Sequence, residues 1–245
     1  MTRPAPADDA LGADVRTPET STDRSDSLSL GERVVPATVF GLLDLLAIRD
    51  FLSDVRVTAS GTATTQQVLL LANRGVYMLF VSLIVALFMT RPPARSSDRR
   101  LSSWLFAVVG TFGLTAAPLL PPGPVLVQTG ITGAVTGLTI SMLALTLALV
   151  TLATLGRSFS ITPQARELVT SGPYRIVRHP LYLCESLTIL ALAVASGRAT
   201  SMVATLVVVG CQFRRAWCEE RLLRKVFPEY ELAFRGVRHV VPGIY

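Results

Sequence analysis

Apolar residues fall in long blocks through the middle of the chain, and the blocks define the expected elements. Val68–Thr90 is one, interrupted only by Arg74 near its start. Leu101–Leu120 is the next, stopped by Pro118, Pro121, Pro122, Gly123 and Pro124. Val125–Leu155 follows with residues to spare, so it is expected to tilt or project beyond a bilayer. An earlier block, Pro36–Leu52, is shorter and carries Asp44, Arg49 and Asp50. A helix needs about 20 apolar residues to cross a hydrocarbon core, so these blocks predict four spans, the first the least complete.

Two further blocks, Leu181–Ser196 and Ala199–Phe213, are separated only by Gly197 and Arg198. At about 1.5 Å per residue neither quite covers a core of ~30 Å. They predict a helical hairpin that enters and returns to the same side. Phe213–Phe227 then has a helical pattern with Trp217, Leu222, Leu223 and Val226 as its apolar set. The expected fold class is all-α: a polytopic membrane helix bundle of about four full spans, a short C-terminal hairpin (181–213) and a cytosolic C-terminal helix. Gly130, Gly133 and Gly137 recur at helical spacing and predict close helix packing.

Composition strengthens the membrane reading. Only 16% of residues are charged, against roughly 25% in soluble proteins. From Leu101 to Gly156 there are 56 consecutive residues without Lys, Arg, Asp, Glu or His. A soluble helix must show a polar face to water, so soluble-enzyme and nucleic-acid-binding readings fall away. The net charge of +6 comes almost wholly from Arg, gathered in loops beside apolar blocks. By the positive-inside rule this places the N-terminus, residues 91–100, residues 156–180 and the C-terminus in the cytoplasm. The expected location is a bacterial cell membrane, with the site facing the cytoplasm. Residues 1–35, rich in Pro, Ala, Ser, Thr and Asp, read as a disordered cytoplasmic tail, and residues 36–155 as transmembrane helices without an assigned role. Cys184, Cys211 and Cys218 have no CxxC spacing, and with two histidines in the chain neither a metal site nor a disulfide framework is expected.

Chemistry concentrates in residues 156–245. GRSFSITPQARELVTSGPYRIVRHPLY (156–182) is a polar island longer than a connector needs to be. RRAWCEERLLRKVFPEYELAFRGVRHVVPGIY (214–245) follows the hairpin, which brings both polar segments to one face. A pocket there has water-soluble groups on one side and lipid on the other. It suits joining a polar cofactor to a lipid-soluble substrate. Taken singly, Arg178 and His179 also suit snorkelling to headgroups, Glu219 and Glu220 a charged helix face, and Tyr174 and Tyr182 an interfacial belt. Their ordered combination favours a site.

LVTSGPYRIVRHPLY, the hairpin, and EERLLRKVFPEYELAF…VP together resemble the isoprenylcysteine carboxyl methyltransferase family and the related membrane phospholipid methyltransferases, over about residues 150–245. The resemblance implies S-adenosyl-L-methionine, bound on the cytosolic side between the RHPxY loop and the C-terminal helix and open laterally to lipid. It implies cofactor contacts from Gln164, Arg166, Glu167, Leu168, Val169, Tyr174, His179, Pro180, Leu181, Tyr182, Glu219 and Glu220. It makes Arg215 the catalytic anchor for a substrate carboxylate. His179 supplies a donor for the cofactor's carboxylate, the glutamates supply acceptors for its ammonium or hydroxyls, and an Arg fork suits a planar carboxylate. The acceptor is expected to be a lipophilic or prenyl-like molecule entering from the bilayer, among membrane lipid and without nucleic acid. A carboxylate acceptor is already ionised and needs no general base. Where the family usually has Gly, two residues beyond the RHPxY tyrosine, this chain has Cys184 followed by Glu185. Asp44 and Glu185 are carboxylates inside apolar blocks, functional candidates by default, with no role assigned. Pro242–Tyr245 also match the C-terminal motif of sterol-reductase-like enzymes, which would bind a nicotinamide cofactor. A non-enzymatic scaffold is the remaining alternative.

Overall fold

The computed structural model describes residues 21–240, apart from 60, 62, 99, 114–120 and 122. The chain is mostly helical, with seven α-helices among the described residues: α1 (Ser21–Ala59), α2 (Thr65–Thr90), α3 (Leu101–Phe112), α4 (Gly130–Leu155), α5 (Pro180–Ser196), α6 (Ala199–Val226) and α7 (Tyr230–Ala233). Two helical stretches, Thr65–Thr90 and Gly130–Ser158, are long and apolar enough to cross a membrane. Thr64 starts α2 with a capping box: its hydroxyl accepts from Gln67 N, and its own N–H donates to Gln67 Oε1 at 2.8 Å. Proline at the first turn of α5 costs no helical hydrogen bond and pre-sets the backbone.

Packing runs α1 on α2, α2 on α4, α4 on α5, α5 on α6, and α6 on α3. One core joins Phe40, Phe88, Leu145, Ala148, Leu152, Phe159 and Leu181, with Phe88 and Phe159 in edge contact at 5.6 Å. A second, smaller core of Ala165, Tyr174, Phe227, Tyr230 and Phe234 lies under the polar segments. The loops 91–100 and 156–180 are tied by a two-residue antiparallel pairing, β1 (Ser96–Ser97) against β2 (Gln164–Ala165). That pairing is a small addition to an all-α expectation.

Several boundaries differ from those read in the sequence. α1 begins at Ser21, so residues 21–35 are helical rather than unstructured. Extending a packed helix adds one hydrogen bond per residue without a new nucleation cost. Residues 1–20, 114–120 and 241–245 lie outside the described residues, and with them the start of the tail, the end of the third span and the Pro242–Tyr245 motif. The fourth span starts five residues late, at Gly130. The second arm of the hairpin and the amphipathic segment are one continuous helix, α6, because nothing between Phe213 and Val226 interrupts it.

The hairpin also reaches further than expected. α5 runs antiparallel to α4 down to its tip, where Gly197 O accepts from Leu126 N at 2.8 Å and Ala199 N donates to Pro124 O at 3.0 Å. The tip therefore sits with the loop before α4, at the opposite end of the bundle from residues 156–180. Of the three glycines expected at a close helix contact, Gly137 is at one, since a Cβ there would lie 2.8 Å from Ala191 O on α5. Gly130 instead faces open space, and Gly133 meets only Thr129, just before its own helix. Asp44 spends its carboxylate on Ser82, whose hydroxyl lies 2.9 Å away on α2.

Gly197 is the point of least tolerance. Its φ of +62° is left-handed, and a Cβ would fall 2.0 Å from Val127 O. Gly197→Ala is expected to destabilise the bundle by about 2 kcal/mol or more, from backbone strain and displaced loop pairing. Gly210→Ala, in open space on α6, should be neutral or slightly stabilising. Thermal unfolding of the two variants in detergent checks the contrast.

Candidate active site

The end of the bundle that carries 156–180 holds a small cavity of about 30 Å³, lined by Leu155, Ser158, Phe159, Ser160, Thr162, Gln164, Tyr174, His179, Leu181, Tyr182 and Glu219. Its parts come from four places: the end of α4, the loop after it, the first turn of α5 and one turn of α6. Tyr182 hydroxyl donates to Glu219 Oε2 at 2.8 Å, joining α5 to α6 across the cavity. His179 stacks on Tyr182 with ring centroids 5.6 Å apart. Its Nδ1 is 3.9 Å from Glu219 Oε2, and its Nε2 is 3.3 Å from Glu220 Oε1. Thus one histidine lies between two adjacent carboxylates.

Glu220 is the buried one. It meets His239 Nδ1 at 2.5 Å, His179 Nε2 at 3.3 Å and Arg224 at 2.9 Å. Burial alone would raise its pKa, but hydrogen bonds and charge from His179 and His239 outweigh that and hold it below the ordinary carboxylate value. Burial pushes the Tyr174 phenol well above its ordinary value, and the negative charge of Glu219 adds to this. Tyr174 is therefore a neutral group in the cavity wall.

The C-terminal segment is strapped to the RHP loop. Arg178 N donates to Arg238 O at 2.8 Å and His179 N to His239 O at 3.0 Å. Arg178 Nε donates to Val237 O at 2.9 Å, and its guanidinium lies over Tyr230 at 5.7 Å. Arg178 thus serves the strap rather than the cavity.

Of the residues singled out in the sequence, Gln164, Tyr174, His179, Leu181, Tyr182 and Glu219 meet at the cavity. Arg166 is buried and donates through Nε to Pro92 O at 2.9 Å, away from it. Glu167 is exposed, while Leu168 and Val169 pack on the smaller core. Pro180 is buried at the start of α5. Glu220 supports His179 from behind. Arg215 is only 4% exposed and lines neither this cavity nor its neighbour. Its Nη1 donates to Gln212 Oε1 at 2.7 Å and its Nη2 to Ile161 O at 2.9 Å. Cys184, in place of the usual Gly, turns away into the main core and does not narrow the cavity.

Sequence reasoning missed Leu155, Ser158, Phe159, Ser160 and Thr162. Their signal was present, since GRSFSIT opens the polar island immediately after α4. It also missed His239, which only tertiary contact reveals. Ser160, Thr162 and Gln164 line a second, much larger groove of about 760 Å³ as well. Val35, Val39 and Phe40 of α1, Phe88 of α2, and Trp104 and Val108 of α3 form its apolar walls.

Residues 126–230 match the family model for phospholipid methyltransferase. Over that stretch the chain is similar to the phospholipid methyltransferases. That span takes in α4 to the start of α7, and hence every residue lining the small cavity. The chain is 39% identical over 105 residues to the cobalt-zinc-cadmium resistance protein CzcN of Cupriavidus metallidurans, and 33% identical over 103 residues to the nickel-cobalt-cadmium resistance protein NccN of Alcaligenes xylosoxydans xylosoxydans. Each alignment covers 38% of this chain, and 47% and 44% of the relatives. The aligned stretch spans under half the length of the curated relatives it matches.

The hub at Glu220 gives a pH test. Its carboxyl is depressed in the folded state, so its contribution to stability is fully present above about 4.5, the ordinary value, and is lost as pH falls through the lower folded value. Glu220→Gln should lower the unfolding midpoint at neutral pH. The gap between variant and wild type should shrink only below that ordinary value. Thermal scans of both proteins from pH 7 downward check it.

Proposed function

We propose that the protein is an integral-membrane, S-adenosyl-L-methionine-dependent methyltransferase for a lipophilic acceptor, with the carboxylate of an isoprenylcysteine-like group as the finest form of the reading. The observation that carries it is the meeting of the RHPxY loop and Glu219 at one cavity, with Glu220 behind His179, beside a large apolar groove and inside the family-matched region. The donor set fits the cofactor chemically. Glu219, 27% exposed at its side chain, presents a carboxylate to an ammonium or ribose. Ser158, Ser160, Thr162 and Gln164 add neutral polar groups, and Leu155, Leu181 and Phe159 form an apolar wall. The cavity is too small for the cofactor as it stands, so the wall between cavity and groove has to yield.

The cofactor would supply an electrophilic methyl on a sulfonium. Displacement at such a carbon needs alignment and exclusion of water more than acid–base help. In this reading Glu219 and Tyr182 orient the cofactor, and His179 spans Glu219 and Glu220 beside it. The acceptor lies along the apolar groove with its reactive head toward Thr162. Arg215, reached past Ile161, anchors an anionic head. The membrane is entered by α1 to α4 as about four spans and by the hairpin of α5 and α6, with the cavity end in the cytoplasm.

The relatives' names motivate one further reading, a part in resistance to cobalt, zinc or cadmium. Growth of a deletion strain on these metals checks it independently of any methyl-transfer assay.

Calorimetric titration tests the cofactor. The wild type is expected to bind S-adenosyl-L-methionine. Glu219→Ala should bind at least about tenfold more weakly, the loss of a charge-assisted hydrogen bond of roughly 1.5–3 kcal/mol. Unchanged affinity in this variant would remove Glu219 from the site. Preferential binding of a reduced nicotinamide cofactor would favour the reductase reading.

A further inference from the structure

Glu185 has no role in the motif, yet it sits in the first turns of α5, three residues beyond Tyr182. A carboxylate on an apolar helix is costly unless something holds it. Gln212 Nε2 donates to Glu185 Oε2 at 2.6 Å, and the same amide's Oε1 accepts from Arg215 Nη1 at 2.7 Å. Gln212 is 3% exposed and Arg215 4%. An amide used at both ends fixes its own orientation, so the chain of contacts is directional. Glu185 accepts, Gln212 passes the polarity on, and Arg215 donates.

The far end of that chain is the cavity wall. Arg215 Nη2 donates to Ile161 O at 2.9 Å, and its guanidinium lies 4.8 Å over the Tyr182 ring. Gly110 of α3 makes room for this side chain, since a Cβ there would come within 3.0 Å of Arg215 Cδ. Residues 158–164 carry no α-helix, and Ser160, Thr162 and Gln164 separate the 30 Å³ cavity from the 760 Å³ groove. Arg215 is thus the hook on which the middle of the partition hangs.

We infer that Glu185 is a positioning residue of this site: through Gln212 it fixes Arg215, and through Arg215 it sets the partition 158–164 between the small cavity and the apolar groove. The inference rests on the proposed function only for what the cavity encloses. The contacts themselves do not depend on the cofactor.

The test reads the partition directly. In a Thr162→Cys background, the rate of thiol labelling in detergent or membranes is followed by peptide mapping, with buried Cys218 as internal control. Glu185→Leu and Gln212→Met should each raise labelling at position 162 about fivefold, the effect of one lost hydrogen bond on a local opening. The two together should do no more than either alone. Glu185→Gln keeps an oxygen acceptor for Gln212 and should restore most of the wild-type protection. Unchanged labelling in Glu185→Leu overturns the inference, as does a rise in Glu185→Gln equal to that in Glu185→Leu. A rise shared by Cys218 marks a general loosening of the fold and overturns it too. Failure of the wild type to bind S-adenosyl-L-methionine would instead remove the methyltransferase reading, and the labelling result would stand on its own.

Discussion

The carboxylate of Glu220 is the constraint on which the polar end of the molecule depends. It is buried on α6, yet His179 from the RHP loop, His239 from the C-terminal segment and Arg224 one turn along the helix all reach it. A buried charge that loses its partners is strongly destabilising, so these groups are bound to one another's positions. The backbone confirms the arrangement. The loop and the C-terminal segment share a parallel pairing at Val177 and Arg238. His179 inherits a fixed place in the cavity wall.

Neighbouring residues on the same helix do different work. Glu219 faces the cavity and takes the Tyr182 hydroxyl, while Glu220 turns the other way into the cluster. Successive positions are about 100° apart on an α-helix, so an adjacent pair cannot serve one ligand from one face. Arg215 lies one turn before Glu219 and shares its side of the helix. Among the described residues it makes no ion pair with Glu219, and it grips Ile161 and Gln212 instead. The two glutamates therefore stand apart, Glu219 at the cavity and Glu220 behind the histidine.

Much of the fold was legible because its signal is local. Apolar blocks placed α2, α4, α5 and most of α6, and Gly197 placed the hairpin turn. The continuity of α6 was not legible, since a change from an apolar to an amphipathic pattern looks like a boundary although it leaves the backbone hydrogen bonds intact. The reach of the hairpin was missed for another reason. Its depth is fixed by pairing with residues 124–127, a contact between segments 70 residues apart that no periodicity encodes. In the site, residues adjacent to the RHPxY motif and to the glutamates were found. Ser158, Ser160 and Thr162, brought in by the turn after α4, were not. A motif position does not say which way a side chain turns: the Nε of Arg166 donates to Pro92 O.

Photochemical cross-linking of radiolabelled S-adenosyl-L-methionine to the protein in native membranes tests the central claim most directly. A cofactor site at the small cavity predicts label in the peptides spanning residues 155–182 and 215–223, competed away by unlabelled S-adenosyl-L-homocysteine. Label that fails to form, or that maps to α1 or α2 alone and resists competition, would contradict it.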